Sequence, residues 1–181
     1  KNKKTKFSLV RFGNVLESSG SVVPLFKNQI LKGGPITITH PDINRFFMSI
    51  EEASLLVMQS CYLTEGGEIF LLDMGKPIKI TDLAHKMVKL AGLSIKNTSN
   101  LAGDIEINFI GLRPGEKLYE ELLIDDKSVK TQHPYIYKSI ENKLSNNEFE
   151  NLYQDIKLAV NNNSIDSIKK ILSNRIVGYS A

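Results

Sequence analysis

The residues best suited to chemistry in this 181-residue chain form the run Arg113-Pro114-Gly115-Glu116. A guanidinium can grip diphosphate oxygens through two parallel hydrogen bonds, and glycine lets the backbone come close. A carboxylate three residues on can accept both hydroxyls of a ribose. Together these groups suit a nucleotide. An ordinary loop in which Arg113 pairs with Glu116, Glu120 or Glu121 has the same spacing, so spacing alone does not separate the two readings. Arg45 is the second candidate, because it opens the apolar run Arg45-Phe46-Phe47-Met48. Buried neighbours strengthen its charge and aim it at a cleft, although an edge-strand arginine in solvent has the same signature. Asn14 follows Gly13 at the end of another apolar run. It can hydrogen-bond a substrate hydroxyl or phosphate, or simply tolerate a turn.

Other reactive residue types form no constellation. His40, His85 and His133 are far apart and share no spacing with carboxylates that suits a metal or a nucleophilic triad. Asp125-Asp126 precedes Lys127 in a loop-like stretch and reads as a solvated turn. Tyr153 and Lys157 match Y-x-x-x-K, the spacing by which a lysine lowers a tyrosine's pKa one helical turn away. They lie on a polar helix far downstream of the candidate sites, and the match is read as accidental. No Gly-x-Gly-x-x-Gly occurs, so the dinucleotide fingerprint is absent from this chain. The single cysteine, Cys61, lies in an apolar helical pattern and excludes both an internal disulfide and a thiolate metal site. This usage fits a reducing cytoplasm.

The elements that must hold the candidate residues alternate between strand and helix. Phe7 to Phe12 has the look of a buried strand of a parallel sheet, ended by Gly13-Asn14. Val22, Val23, Phe26, Ile30 and Leu31 follow at helical spacing, with Pro24 in the first turn and Gly33-Gly34 as the stop. Ile36 to Thr39 alternates as a strand and Arg45 to Met48 is a second. Ser49 and Glu52 read as the capping box of a helix that runs to Gly66-Gly67. Glu68 to Leu72 and Ile78 to Ile80 are further strands, and Thr81 is expected to cap a helix ending at Gly92. Ile105 to Ile110 alternates most cleanly of all, and Glu116 to Leu123 is expected to be a short helix beyond the Arg113 loop. Tyr135 to Lys138 is a strand, and two polar helices fill about 146 to 176, divided at Asn161-Asn162-Asn163. The order argues an α/β fold with an incomplete parallel sheet.

Composition excludes several classes. With 41% hydrophobic and 24% charged residues the chain is neither disordered nor membrane-like. Its net charge of +3, from 23 basic and 20 acidic residues, is too small and too dispersed to imply a nucleic-acid partner. The basic run Lys1-Asn2-Lys3-Lys4-Thr5-Lys6 reads as a solvated end. No stretch approaches the roughly 18 apolar residues that cross a bilayer. The chain starts with lysine on a segment that runs straight into a strand, so a preceding segment is expected.

Five motifs stand in order: Val10 to Leu16 (VRFGNVL), Ser18 to Val22 (SSGSV), Gly34 to Pro41 (GPITITHP), Arg45 to Met48 (RFFM) and Gly111 to Leu122 (GLRPGEKLYEEL). Their order and wording resemble the C-terminal half of the polysaccharide-biosynthesis family of UDP-N-acetylglucosamine 4,6-dehydratases, which are extended short-chain dehydrogenase/reductases. The resemblance covers about residues 7 to 125; 126 to 181 is a mostly helical tail, and 1 to 181 is read as one C-terminal substrate-binding portion. Glu17 departs from the pattern, where glycine is expected. The resemblance implies the C-terminal part of a Rossmann-type enzyme with a substrate-binding subdomain. NAD or NADP would be held mainly by an N-terminal half that also carries the catalytic residues. It implies that Asn14 contacts the sugar or phosphate, that Arg45 and Arg113 hold the diphosphate of a UDP-sugar, and that Glu116 holds the ribose hydroxyls. A UDP-sugar 4-epimerase and a non-catalytic UDP-sugar-binding module stay open beside the dehydratase. Such a portion exposes a sheet edge, so homo-oligomers are expected.

Overall fold

The computed structural model describes residues 5–18, 20–120, 124, 128–141 and 144–175. The chain divides into two compact units, 1–140 and 141–181. In the first, β1 (Leu9–Arg11) and β2 (Asn14–Val15) lead to α1 (Val22–Leu31), then β3 (Ile36–Ile38), β4 (Asn44–Arg45) and β5 (Phe47–Met48). There follow α2 (Ile50–Leu63), β6 (Ile69–Leu72), β7 (Ile78–Lys79), α3 (Ile80–Leu90), β8 (Ile95–Lys96), β9 (Ile105–Phe109), β10 (Ser128–Lys130) and β11 (Ile136–Ser139). The second unit is a helix pair, α4 (Asn146–Asn161) and α5 (Ile165–Arg175).

A four-stranded sheet runs β1-β6-β11-β10. β1 and β6 are parallel, Leu9 facing Ile69, and α2 lies between them in sequence. This β-α-β crossover is a piece of a Rossmann-type sheet, in line with the expected α/β class. The hairpin β10–β11 adds on antiparallel to β6, with Ile136 opposite Leu72. Residues 128–130 and 136–139 are therefore sheet, and the helices that follow start only at Asn146. β1 is shorter and less buried than its apolar run suggests: it stands at the end of the sheet with Leu9 49% exposed.

Two cores serve the first unit. One gathers Phe26 and Ile30 of α1, Ile36 and Ile38 of β3, Ile80, Ala84 and Val88 of α3, and Ile105 of β9. The i, i+4, i+8 spacing of the α3 residues sets one face of that helix against the strands. The other gathers Ala53 and Leu56 of α2 with Met48, Phe70, Leu72 and Ile136. Burying each large side chain contributes about 1.5–3 kcal/mol, so each core fixes its strands firmly. α2 is capped by Ser49 Oγ, which accepts from the Glu52 N–H at 3.1 Å. Thr81 does not cap α3, which begins one residue earlier, at Ile80; the Thr81 hydroxyl reaches the Pro41 carbonyl at 3.5 Å. In the second unit Ser145 and Glu148 make a full capping box, and the two helices bury Leu152 and Ala159.

The stretch Arg45 to Met48 is two strands rather than one. The chain changes partner at Phe46: Arg45 pairs antiparallel with Ile78, whereas Phe47 pairs in parallel with Asn14. Glu116 to Glu120 is not helical, and 121–123 lie outside the described residues. Asp125 and Asp126 also lie outside them.

Candidate functional site

Two strand pairings and one helix terminus converge on one place. β2 and β5 run in parallel with Asn14 opposite Phe47, so Asn14 stands close to Arg45. β3 and β9 are parallel with Ile38 opposite Phe109, so Thr39 and the loop 111–116 leave from neighbouring carboxyl ends. The N-terminus of α1 closes the third side. Between them lies a cavity of about 350 Å³ whose wall includes Asn14, Ser21, Thr39, Arg45, Arg113 and Glu116. All four residues singled out in the sequence therefore line the same space. Carboxyl ends of parallel strands are where α/β proteins place ligands.

The loop is shaped by its own motif. Pro114 and Gly115 make a turn in which Gly115 has φ +78°, a left-handed conformation that glycine takes without strain. The turn brings Glu116 back over Arg113: the Arg113 N–H donates to Glu116 Oε2 at 3.0 Å, and the Glu116 N–H donates to the Arg113 carbonyl at 2.9 Å. Thr39 Oγ1 donates to Glu116 Oε1 at 3.0 Å. Each oxygen of this carboxylate keeps a further acceptor position. The Arg113 guanidinium makes no ion pair among the described residues, so the pairing with Glu116 allowed by spacing is a backbone contact instead.

Arg45 is held quite differently. Its side chain is 16% exposed. Nη1 donates to the carbonyls of Asn44 at 2.7 Å and Leu118 at 3.4 Å, and Nη2 donates to the Lys117 carbonyl at 2.8 Å. Nη2 stands 3.6 Å from Glu116 Oε1 and Nε 3.6 Å from Glu120 Oε1. This arginine anchors the segment 116–120 as much as it faces the cavity. The carbonyls it takes are those a helix starting at Glu116 would use internally, which accounts for the missing helix.

Ser21 in the cavity wall and Glu120 behind it lie within the quoted motifs, but nothing in the sequence singles either of them out. Ser21 precedes α1 as its cap residue, yet its hydroxyl caps nothing; Oγ is shut off from solvent and has no hydrogen-bond partner among the described residues. Pro24 removes one first-turn N–H, leaving Val22 and Val23 to present theirs. Glu120 reads as an ordinary helix carboxylate, and only its spacing from Glu116 draws notice to it.

The remaining candidates fall elsewhere. Tyr153 and Lys157 share a turn of α4, with the ammonium 5.9 Å from the ring centroid, a cation–π contact on an exposed face. Lys79 bonds Asp42 at 2.9 Å across the β4–β7 edge, and this holds the Asp42 carboxyl below its ordinary value. Among the described residues no three His, Cys, Asp or Glu side chains gather to hold a metal, and no helix is long and apolar enough to cross a membrane. A second, more apolar cavity of about 480 Å³ lies behind Phe46, with Glu120 in its wall.

Comparison with known proteins agrees with this architecture. The chain is 49% identical over 172 residues to the capsular polysaccharide biosynthesis protein CapD of Staphylococcus aureus, covering 94% of this chain and 27% of that protein. It is 38% identical to a UDP-N-acetylglucosamine 4,6-dehydratase (inverting) of Campylobacter jejuni, covering 70% of this chain and 34% of the enzyme. It is 36% identical to a UDP-glucose 4-epimerase of Rickettsia bellii, covering 71% and 35%. Among solved structures, Pen from Bacillus thuringiensis superposes with a TM-score of 0.63 at 33% identity, covering 87% of this chain and 52% of the other. The chain thus spans about a third or less of the curated relatives' length. Residues 1–141 match the family described as polysaccharide biosynthesis protein, and to that family this chain belongs.

Proposed function

We propose that the first unit is the nucleotide-sugar-binding part of a UDP-N-acetylglucosamine 4,6-dehydratase. One observation carries the reading: Asn14, Arg45, Arg113 and Glu116 line a single cavity at the carboxyl ends of parallel strands. Arg113, whose guanidinium makes no ion pair among the described residues, supplies the charge-assisted bonds to a diphosphate. The N-terminus of α1, whose Val22 lines the same cavity, adds backbone donors on the opposite wall. Glu116, fixed by Thr39 and the Arg113 amide, accepts the ribose hydroxyls at its remaining acceptor positions. Arg45 contributes positive charge and keeps the 116–120 segment in place.

No catalytic residue is assigned to this chain. The sequence holds no dinucleotide fingerprint, so a nicotinamide cofactor would be held mainly by other parts of such an enzyme. The redox step is therefore referred to other parts of such an enzyme.

A 4-epimerase is kept as the second reading because the Rickettsia bellii relative matches this chain almost as well as the dehydratase does, at 36% against 38%. Incubating the intact protein with UDP-N-acetylglucosamine separates them. A 4-keto-6-deoxy sugar supports dehydration, and the C4 epimer supports epimerisation. Tight binding without turnover supports a binding module. Calorimetry with UDP tests the site itself: no binding by the wild-type protein would sink the nucleotide reading.

A further inference from the structure

Glu120 joins two residues of the cavity wall, Asn14 and Arg45, to Phe46 behind them. Its Oε1 accepts from Asn14 Nδ2 at 3.0 Å and faces Arg45 Nε at 3.6 Å, while Oε2 accepts from the Phe46 N–H at 3.1 Å. Its side chain is 27% exposed, so water does not fully screen these contacts. Asn14 Nδ2 also donates to the Phe46 carbonyl at 3.1 Å. Both partners of that nitrogen are acceptors, which fixes the orientation of the carboxamide and engages both of its hydrogens. What Asn14 has left for a ligand is its oxygen.

We propose that Glu120 is a positioning residue: by taking one Asn14 amide hydrogen and facing Arg45, it turns the Asn14 carboxamide oxygen toward the ligand and assigns Asn14 to a hydroxyl of the bound molecule rather than to its phosphate. An acceptor beside a phosphate oxygen is repelled by it, whereas a hydroxyl can donate to it. The same carboxylate faces Arg45 Nε while the Nη atoms bond the Lys117 and Leu118 carbonyls, so the two substrate-facing residues are oriented by one group that the ligand need not touch. Only the identity of the ligand rests on the nucleotide reading; the positioning itself is a property of the ligand-free protein.

Two measurements on the intact protein test it. Nitrogen-15 NMR of the ligand-free protein reads the Asn14 side-chain amide and the Arg45 Nε–H directly. Glu120→Ala should shift both sets of signals and speed their exchange with water, with a modest fall in melting temperature because the Phe46 N–H and Arg45 lose an acceptor. Calorimetry with UDP should give about a tenfold loss of affinity in Glu120→Ala, the size of coupling expected within one hydrogen-bond network. Asn14→Ala added to Glu120→Ala should then cost less than Asn14→Ala alone. Glu120→Gln keeps an acceptor for the Phe46 N–H but sets an amide donor against Asn14 or Arg45, so it should show the Asn14 change even if the alanine variant folds poorly. Unchanged Asn14 and Arg45 signals in both variants overturn the proposal, as do strictly additive losses of affinity. If wild-type protein binds no UDP, the nucleotide reading falls while the NMR signals still decide the positioning.

Discussion

Arg45 and Arg113 face the same cavity and are held in opposite ways. Arg45 donates to three carbonyls and stands beside two carboxylates, whereas Arg113 has only its backbone engaged and its guanidinium makes no ion pair among the described residues. A guanidinium bound to its own protein holds a wall together; one without such bonds can hold a ligand without first breaking anything. The pair thus divides between them two tasks that the sequence motif presents as one.

Substitutions can break this contrast. The largest effect is expected from Arg45→Ala, which leaves Glu116 and Glu120 without their cation: a loss of about 2 kcal/mol in stability, below the usual figure for a fully buried pair because the site is partly exposed. UDP affinity should fall with it, and parallel denaturation and calorimetry would read both. Arg113→Ala should lower UDP affinity about ten- to hundredfold, as expected for one or two charge-assisted bonds, with the melting temperature unchanged. If instead Arg113→Ala unfolds the protein and Arg45→Ala does not, the division of roles is wrong. Lysine sharpens it, because Arg113→Lys should keep part of the affinity while Arg45→Lys cannot serve a fork of five partners. Glu17→Gly is the mirror case, changing stability alone. Glu17 has φ +61°, and relieving that conformation should stabilise the protein by about 0.5 kcal/mol in urea melts, with UDP affinity constant. The smallest effect concerns Asp42 and Lys79 at the β4–β7 edge beside Arg45. The carboxyl titrates below its ordinary 3.8 because of the Lys79 ammonium, so its contribution is complete above that value and disappears as pH falls through the lower, folded one. Lys79→Met should remove this acid sensitivity and leave UDP binding untouched.

Much of the fold could be read from spacing. The alternation at 36–39 and 105–110 marks β3 and β9, and the Gly33-Gly34 and Gly92 stops end α1 and α3 where the structure ends them. Local reading fails where distant residues overrule local preference. The run 116–120 has helix-forming residues, but Arg45 claims the Lys117 and Leu118 carbonyls. The Arg45-Phe46-Phe47-Met48 run reads as one strand because no local signal marks the change of partner at Phe46. Asn14, Arg45, Arg113 and Glu116 are legible as residues suited to a nucleotide, and the structure brings all four to one cavity. Glu120, though inside the GLRPGEKLYEEL motif, is not, since its importance lies in long-range contacts to Asn14, Arg45 and Phe46 that local spacing does not announce.

The pairings that build the cavity join parts of the chain that are far apart in sequence: Asn14 with Phe47, Ile36 with Ile107. Each closes a long loop before any contact repays the lost chain entropy, so the barrier to folding is set largely by these strands. The helix pair 146–175, built from neighbours, has no such delay. During refolding, helical signal from that pair should therefore return well before the ability to bind UDP. The cavity would be among the last features to form, competent only when the sheet pairings around it are complete.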